Sequence, residues 1–284
     1  MGYKRVSKNR ICCIITLLLV SLAVFFSTSC GKTEKDLLRV SYLKVGKADA
    51  IILENDGRAM VIDTGEDEDG EEIADYLKNR GIDKVEAVII THFDKDHVGG
   101  ADTLFDRITA EIVYLPDYEG EGKQYREFTE ALKRNGLASE RLRENLSFDF
   151  GACKVLIEPP LSYEIPEGDE EYDNNFSLIT TVTHGENRFI FTGDAESERL
   201  SEWLSTTADP SCTVLKMPHH GKYDPGLPAL LKAAAPQAAV LCTSEKNPAE
   251  EETLLLLSQQ GIASYQTKDG DIRVTSDGNT IDFY

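Results

Sequence analysis

Two histidines and two aspartates fall within six residues in the stretch Thr91-His92-Phe93-Asp94-Lys95-Asp96-His97-Val98-Gly99-Gly100. Imidazole and carboxylate are the side chains that hold divalent cations. The group follows directly on Lys84 to Thr91, an apolar run that reads as a strand covered on both faces. In an extended segment, residues two apart face the same side. His92, Asp94 and Asp96 are therefore expected to project together, with His97 turned to the neighbouring direction. Gly99-Gly100 is expected to let the backbone turn sharply after them.

Three further strand ends carry companions. Val61-Ile62-Asp63-Thr64-Gly65 ends on an aspartate, as does Phe191-Thr192-Gly193-Asp194, and Pro218-His219-His220-Gly221 places two adjacent histidines after a strand. Taken alone, Asp194 reads equally well as the cap of a following helix. Four of the five histidines thus stand where a strand passes into a loop. Polar groups at strand ends of an α/β sheet point into the crevice where ligands bind. The fifth, His184, lies in a predicted hairpin turn and reads as a solvated loop residue.

The elements that must position these residues alternate between strand and helix patterns, which points to one α/β domain. Strands are expected over 37–45, 50–53, 58–62, 84–91, 112–115, 154–157, 177–183, 188–192, 213–217 and 238–242, with two or three short ones at the end. Helices are expected over 71–80, 101–107, 123–135, 139–144, 195–204, 227–234 and 249–260. Asn55-Asp56-Gly57 is a hairpin signal. Gly46-Lys47-Ala48-Asp49 reads as a turn. Pro159 to Asn175 reads as a long acidic loop, of the kind that forms a lid or an insertion.

The start of the chain is different in kind. Lys4, Arg5, Lys8 and Arg10 precede the apolar run Ile11 to Phe26, and Ser27-Thr28-Ser29-Cys30-Gly31 follows. This is the three-part pattern of a secretory signal. Residues 1–29 are expected to be a lipoprotein-type signal peptide, with Cys30 lipidated. Residues 30–36 would be a tether and 37–284 the functional domain. The protein is then expected outside the cytoplasm, anchored to the bacterial membrane through lipid. Cys12 and Cys13 would leave with the signal. Cys153, Cys212 and Cys242 remain, scattered and without zinc-knuckle spacing, and read as buried apolar residues.

Formal net charge is −20. Residues 1–29 hold four basic and no acidic side chains, so the remainder carries −24. Such a field does not attract nucleic acid or anionic lipid. A nucleic acid is disfavoured by this charge and would need a local basic groove or bridging metal ions, which leaves a small-molecule substrate open.

In this order, "VIDTG", "THFDKDHVGG", "FTGDAE" and "LKMPHHG" resemble the metallo-β-lactamase superfamily, and within it the hydrolase domain of ComEC-type competence proteins and their free-standing relatives. "LKVGKADAIIL" is similar to that family's opening segment and "NNFSLIT" to its Asn-Asn-x-Ser-Leu strand. The likeness covers about residues 38 to 275. Three places depart from it. Ala48 stands where relatives have Gly, Lys222 where they have Ser, and Lys246-Asn247-Pro248 where they have Gly-His-Pro.

The resemblance implies a four-layer αββα sandwich and two divalent metal ions, zinc or manganese. His92 and Asp94 would bind one ion, Asp96 and His97 the second, and Asp194 would bridge them. His219 or His220 would complete a shell. Asp63 would orient ligands, Asn174, Asn175 and Ser177 would line the pocket, and Lys222 would lie near it. The implied chemistry is hydrolysis by water activated between two cations, without a covalent intermediate. Asp96 and Asp194 would be catalytic, Asp96 also holding the water, and a phosphodiester is the leading substrate class.

Two rivals are weighed. A non-catalytic metal- or ligand-binding lipoprotein on the same fold would bind without turnover. Ile62-Asp63-Thr64-Gly65 also matches an aspartic protease signature, but such an enzyme needs two carboxylates sharing a proton, and no second Asp-Thr-Gly or Asp-Ser-Gly occurs in the sequence.

Overall fold

The computed structural model describes residues 37–164 and 172–284. The expected signal, the tether and Cys30 lie outside the described residues, as does the middle of the acidic loop.

Two sheets stack face to face. The first runs in the order β15-β14-β1-β2-β3-β4-β5-β6 and the second β13-β12-β11-β10-β9-β8-β7. The first sheet holds β1 (Leu38–Tyr42), β2 (Ala50–Asn55), β3 (Arg58–Thr64), β4 (Lys84–Ile89), β5 (Thr109–Pro116), β6 (Ser139–Leu142), β14 (Ile272–Ser276) and β15 (Ile281–Phe283). The second holds β7 (Leu146–Phe150), β8 (Cys153–Glu158), β9 (Ile179–His184), β10 (Asn187–Phe191), β11 (Val214–Lys216), β12 (Ala238–Leu241) and β13 (Ala263–Gln266).

Alternation along the strands builds three apolar layers. Ile51, Leu53, Met60 and Ile62 meet Val155, Val182, Phe189, Phe191 and Val214 between the sheets. Their neighbours Ile52, Val61 and Val88 face the other way, onto α1 (Asp69–Asn79), α3 (Ala101–Arg107) and α4 (Gly122–Asn135). On the far side, Ile190, Leu215 and Ala239 pack under α6 (Ser197–Thr206), α7 (Leu227–Ala234) and α8 (Glu251–Gln259). Each Leu or Ile so buried stabilises by about 1.5–3 kcal/mol before entropy is counted. The result is the expected αββα sandwich.

Strands β3 and β4 are parallel, and so are β10, β11 and β12. Their carboxyl ends come out at one end of the sandwich, and the loops that leave them carry the histidines and aspartates described above.

Several local expectations change. The stretch 139–144 is rich in helix formers, yet Ser139–Leu142 pairs in parallel with β5 as an edge strand. Sheet pairing overrides a weak propensity here. Leu146–Phe150 is a strand with alternating exposure that the sequence reading passed over. Tyr172–Asn175 forms a short helix, α5, within the expected loop. His184 is not solvated: it is buried, with Nδ1 2.9 Å from Ser276 Oγ. Cys153, Cys212 and Cys242 are free thiols; the first and last are buried and Cys212 is partly so.

Candidate metal centre

The segment after β4 stays extended only as far as Asp94. Lys95–Val98 then winds into one helical turn, α2, with Asp94 (φ −62°, ψ 148°) at its start. The expected two-residue alternation therefore breaks after Asp94, and Asp96 and His97 enter the site from a helix. Gly99 and Gly100 do not supply a left-handed turn, since their φ angles are −59° and −79°. They supply clearance instead. A Cβ on Gly100 would lie 2.3 Å from Thr64 O and 2.5 Å from Gly70 N, so glycine lets the Asp63 loop close over the motif.

His97 Nδ1 lies 2.8 Å from Asp63 Oδ2. The same carboxylate accepts the Thr91 N–H at 2.7 Å and the Thr91 hydroxyl at 2.7 Å. Because that hydroxyl gives its proton to Asp63, it is an acceptor for His92 Nδ1, 3.0 Å away. His220 Nδ1 lies 3.0 Å from the Cys242 carbonyl, which can only accept. In their neutral form all three imidazoles thus carry the proton on Nδ1, which leaves the Nε2 lone pair free for a cation.

Those Nε2 atoms converge. His97 Nε2 is 3.3 Å from Asp194 Oδ1, and His220 Nε2 is 3.2 Å from Asp194 Oδ2 and 3.4 Å from Asp96 Oδ2. His92 Nε2 is 3.7 Å from Asp94 Oδ2. Among the described residues, His92 Nε2, His97 Nε2, His220 Nε2 and Asp194 Oδ1 are buried yet make no hydrogen bond. Buried polar atoms are ordinarily satisfied. Four bare donors from three separate segments, facing one another, fit divalent cations by their chemistry. Three groups of described residues have donor atoms mutually within 4.8 Å: His92, His97 and Asp194; Asp96, His97 and His220; and Asp49, Asp63 and His97.

The superfamily profile described as Metallo-beta-lactamase matches residues 43–245. The chain belongs to the metallo-β-lactamase superfamily. It is 27% identical over 195 residues to ComE operon protein 3 of Bacillus subtilis, an alignment covering 68% of this chain and 24% of that protein. It is 26% identical over 219 residues to Recombination protein 2 of Haemophilus influenzae, covering 75% and 25% respectively. The chain therefore spans about a quarter of the length of these relatives. The metallo-beta-lactamase fold protein YhfI from Bacillus subtilis superposes with TM-score 0.55 at 11% identity, over 85% of this chain and all of that one, and so shares the fold.

Within this superfamily member the tandem histidines separate. His220 is buried in the cluster, whereas His219 sits at its rim. The side chain of His219 is 14% exposed, its Nδ1 is 2.9 Å from Glu196 Oε1 and its Nε2 is 3.9 Å from Asp194 Oδ2. Both residues hold left-handed backbone, φ 46° and 53°, as does Asp63 at 56°. Such conformations cost energy for residues with a Cβ and gather at functional sites. Lys222 is half-exposed beside the rim, 3.5 Å from Glu196.

The Asn174-Asn175-x-Ser177 segment supports the centre from behind. Ser177 Oγ accepts the Asp194 N–H at 3.2 Å, and Asn175 Oδ1 accepts the Arg199 N–H at 3.3 Å in the first turn of α6. Asn174 is buried with its Oδ1 free of hydrogen bonds among the described residues. Gly193, at φ 53°, brings the end of β10 against β4, and a Cβ there would lie 2.9 Å from both Ser177 Oγ and Thr91 Cβ.

Two charged residues escaped the sequence reading. Asp49, read as part of a turn, is buried, with its N–H on Asp96 O at 3.1 Å and its own carbonyl on the Gly65 N–H at 2.8 Å. Lys216, read as a strand residue, is fully buried; its ammonium pairs with Asp49 Oδ2 and lies 3.0 Å from Gly193 O and 3.5 Å from Asp194 Oδ1. The sequence signals were the segments "LKVGKADAIIL" and "LKMPHHG" that contain them, and the charge of Lys216 in the otherwise apolar β11.

Charge and burial oppose each other throughout the centre. Burial would raise the Asp194 carboxyl, but His220, His97 and Lys216 hold it well below the ordinary range. Burial would lower His97, but Asp194 and Asp63 raise it well above the usual imidazole value. His220 is raised in the same way by Asp194 and Asp96. Burial likewise works against ionised Asp96, and His220 and His97 outweigh it. Without metal, protons on these imidazoles take the place of metal charge.

Proposed function

We propose that the chain is a metal-dependent hydrolase that cleaves a phosphodiester with two divalent cations, zinc or manganese. The convergence of His92 Nε2, His97 Nε2, His220 Nε2 and Asp194 Oδ1, all buried and without hydrogen bonds, carries the reading. His92 and Asp94 would hold one cation, and Asp96, His97 and His220 the other. Asp194 offers one oxygen toward His97 and the second toward His220. Bound divalent cations supply acidified water and neutralise charge that grows on the attacked group.

The rest of the work belongs to this chain's own side chains. Asp63 fixes the His97 tautomer directly and that of His92 through Thr91. The Cys242 carbonyl fixes His220. His219, held by Glu196, presents its Nε2 at the mouth, with Lys222 beside it, where a substrate anion would arrive. Carboxylate-rich ligation suits manganese as well as zinc. Similarity to a relative named for recombination supports a phosphodiester over a lactam. The formal charge of −20 favours a small phosphodiester over a long nucleic acid. We also place the protein outside the cytoplasm, lipid-anchored at Cys30, on the pattern of residues 1–31.

The test is turnover of bis-p-nitrophenyl phosphate by manganese- or zinc-loaded protein, beside a phosphomonoester, a lactone and a thioester. Diester cleavage above the others, lost in His97→Ala and Asp194→Ala, supports the reading. Bound metal with no turnover across the panel leaves a binding module on the same fold.

A further inference from the structure

Lys216 is an aliphatic-strand position occupied by an ammonium. On β11, Val214 faces the layer between the sheets and Leu215 faces the helices, so Lys216 points back between the sheets at their open end. A fully buried ammonium is costly unless it is paired and hydrogen-bonded. Here it is met by a carboxylate from each half of the chain: Asp49, from the loop before β2, and Asp194, from the end of β10. Asp49 in turn grips the metal motif through its N–H on Asp96 O, and its Oδ1 lies 3.5 Å from His220 Nδ1.

The charges match closely. Asp49, Asp63, Asp94, Asp96 and Asp194 bring five carboxylates into the cluster, while Glu196 at its rim lies 3.5 Å from Lys222. Two divalent cations and one ammonium carry five positive charges, with the imidazoles neutral. A third group of potential ligands, Asp49, Asp63 and His97, has its donor atoms within 4.8 Å. The ammonium of Lys216 already pairs with Asp49 there.

We infer that Lys216 is a built-in cation, a positioning residue that does for Asp49 and Asp194 what a third metal ion would do, and that its charge is thermodynamically coupled to metal binding. This rests on the metal centre proposed above. It makes Lys216 and Asp49 act with opposite sign. Without the ammonium, the metal-free protein holds unpaired buried carboxylates, and added cations relieve more repulsion. Without the Asp49 carboxylate, the ammonium turns wholly to Asp194 and competes with the cations.

The experiment compares the rise in Tm caused by manganese in EDTA-stripped wild-type, Lys216→Met and Asp49→Asn proteins, with manganese affinity measured calorimetrically. The expected result is a larger metal-induced rise for Lys216→Met, by more than about 3 °C, and a smaller rise for Asp49→Asn. A Lys216→Met protein that folds only when manganese is present is the limiting form of the same outcome. Equal rises in all three, or smaller rises in both variants, would overturn the inference, since damage to packing weakens metal binding in either case. Should Lys216→Met fold under neither condition, Lys216→Gln, which removes the charge and keeps a polar stem, is read in its place: a larger rise supports the coupling, and an equal or smaller one refutes it. If manganese does not shift wild-type protein at all, the metal centre itself fails, which is a separate result.

Discussion

Asp63→Asn swaps one atom type in a side chain that meets no cation in the proposed centre, yet it should impair metal binding at two imidazoles at once. Asp63 accepts through Oδ1 from the Thr91 N–H at 2.7 Å. Through Oδ2 it accepts from the Thr91 hydroxyl at 2.7 Å and from His97 Nδ1 at 2.8 Å. An asparagine that keeps its oxygen on the Thr91 N–H turns its NH₂ toward both of the other groups. His97 Nδ1 must then accept, which moves its proton to Nε2. The Thr91 hydroxyl must also accept, so it donates to His92 Nδ1, 3.0 Å away, and the His92 proton moves as well. Both ligand nitrogens become N–H groups. The opposite amide orientation sets NH₂ against the buried Thr91 N–H, which costs about 1–3 kcal/mol for the unsatisfied pair. Loss of a carboxylate behind a ligating histidine lowers metal affinity roughly 10–100-fold, or about 1.4–2.7 kcal/mol. With two histidines affected, the upper end is expected. The assay is competitive manganese or zinc titration, with circular dichroism confirming the fold. Affinity within about twofold of wild type in a folded Asp63→Asn protein would refute the tautomer argument.

Two further outcomes follow from the same geometry. In metal-free protein the raised His97 and His220 contribute stability that is fully present below their unfolded value of about 6.5 and is lost as pH rises through their folded values. Urea unfolding after EDTA treatment should therefore weaken above about pH 6.5, while metal affinity strengthens over the same range; a stability profile that rises there contradicts the charge assignment. Gly193→Ala places a Cβ 2.9 Å from Thr91 Cβ at φ 53° and should destabilise by roughly 1–3 kcal/mol in urea, with weaker metal binding, whereas Gly278→Ala, whose Cβ would meet nothing closer than 3.7 Å, carries only the φ penalty.

The cluster of imidazoles and carboxylates was legible because most of it is gathered in one short segment and the rest follows strand ends. His92, Asp94, Asp96 and His97 lie in six residues, and Asp194 and His220 each follow a readable strand. What the sequence hid was contact between distant segments. Lys216 and Asp49 are 167 positions apart in number and meet only because β11 and the loop before β2 reach the same end of the sandwich. The choice between His219 and His220 turned on left-handed backbone at both, which side-chain types do not encode. Gly99 and Gly100 were read for their freedom of φ, but their use is close approach, Gly99 to the backbone of Lys95, Glu66 and Asp67 and Gly100 to that of Thr64 and Gly70. Ser139–Leu142 shows the same limit in the fold: helix-forming residues became a strand because β5 offered a partner.

The central claim is that strand ends from both halves of the chain hold two divalent cations. Anomalous diffraction from crystals grown with manganese tests it most directly. The account predicts two manganese peaks, one beside His92 Nε2 and one beside His220 Nε2, with Asp194 contacting both and His219 contacting neither. No peak among these side chains, or a peak held by His219 with His220 left out, would contradict it.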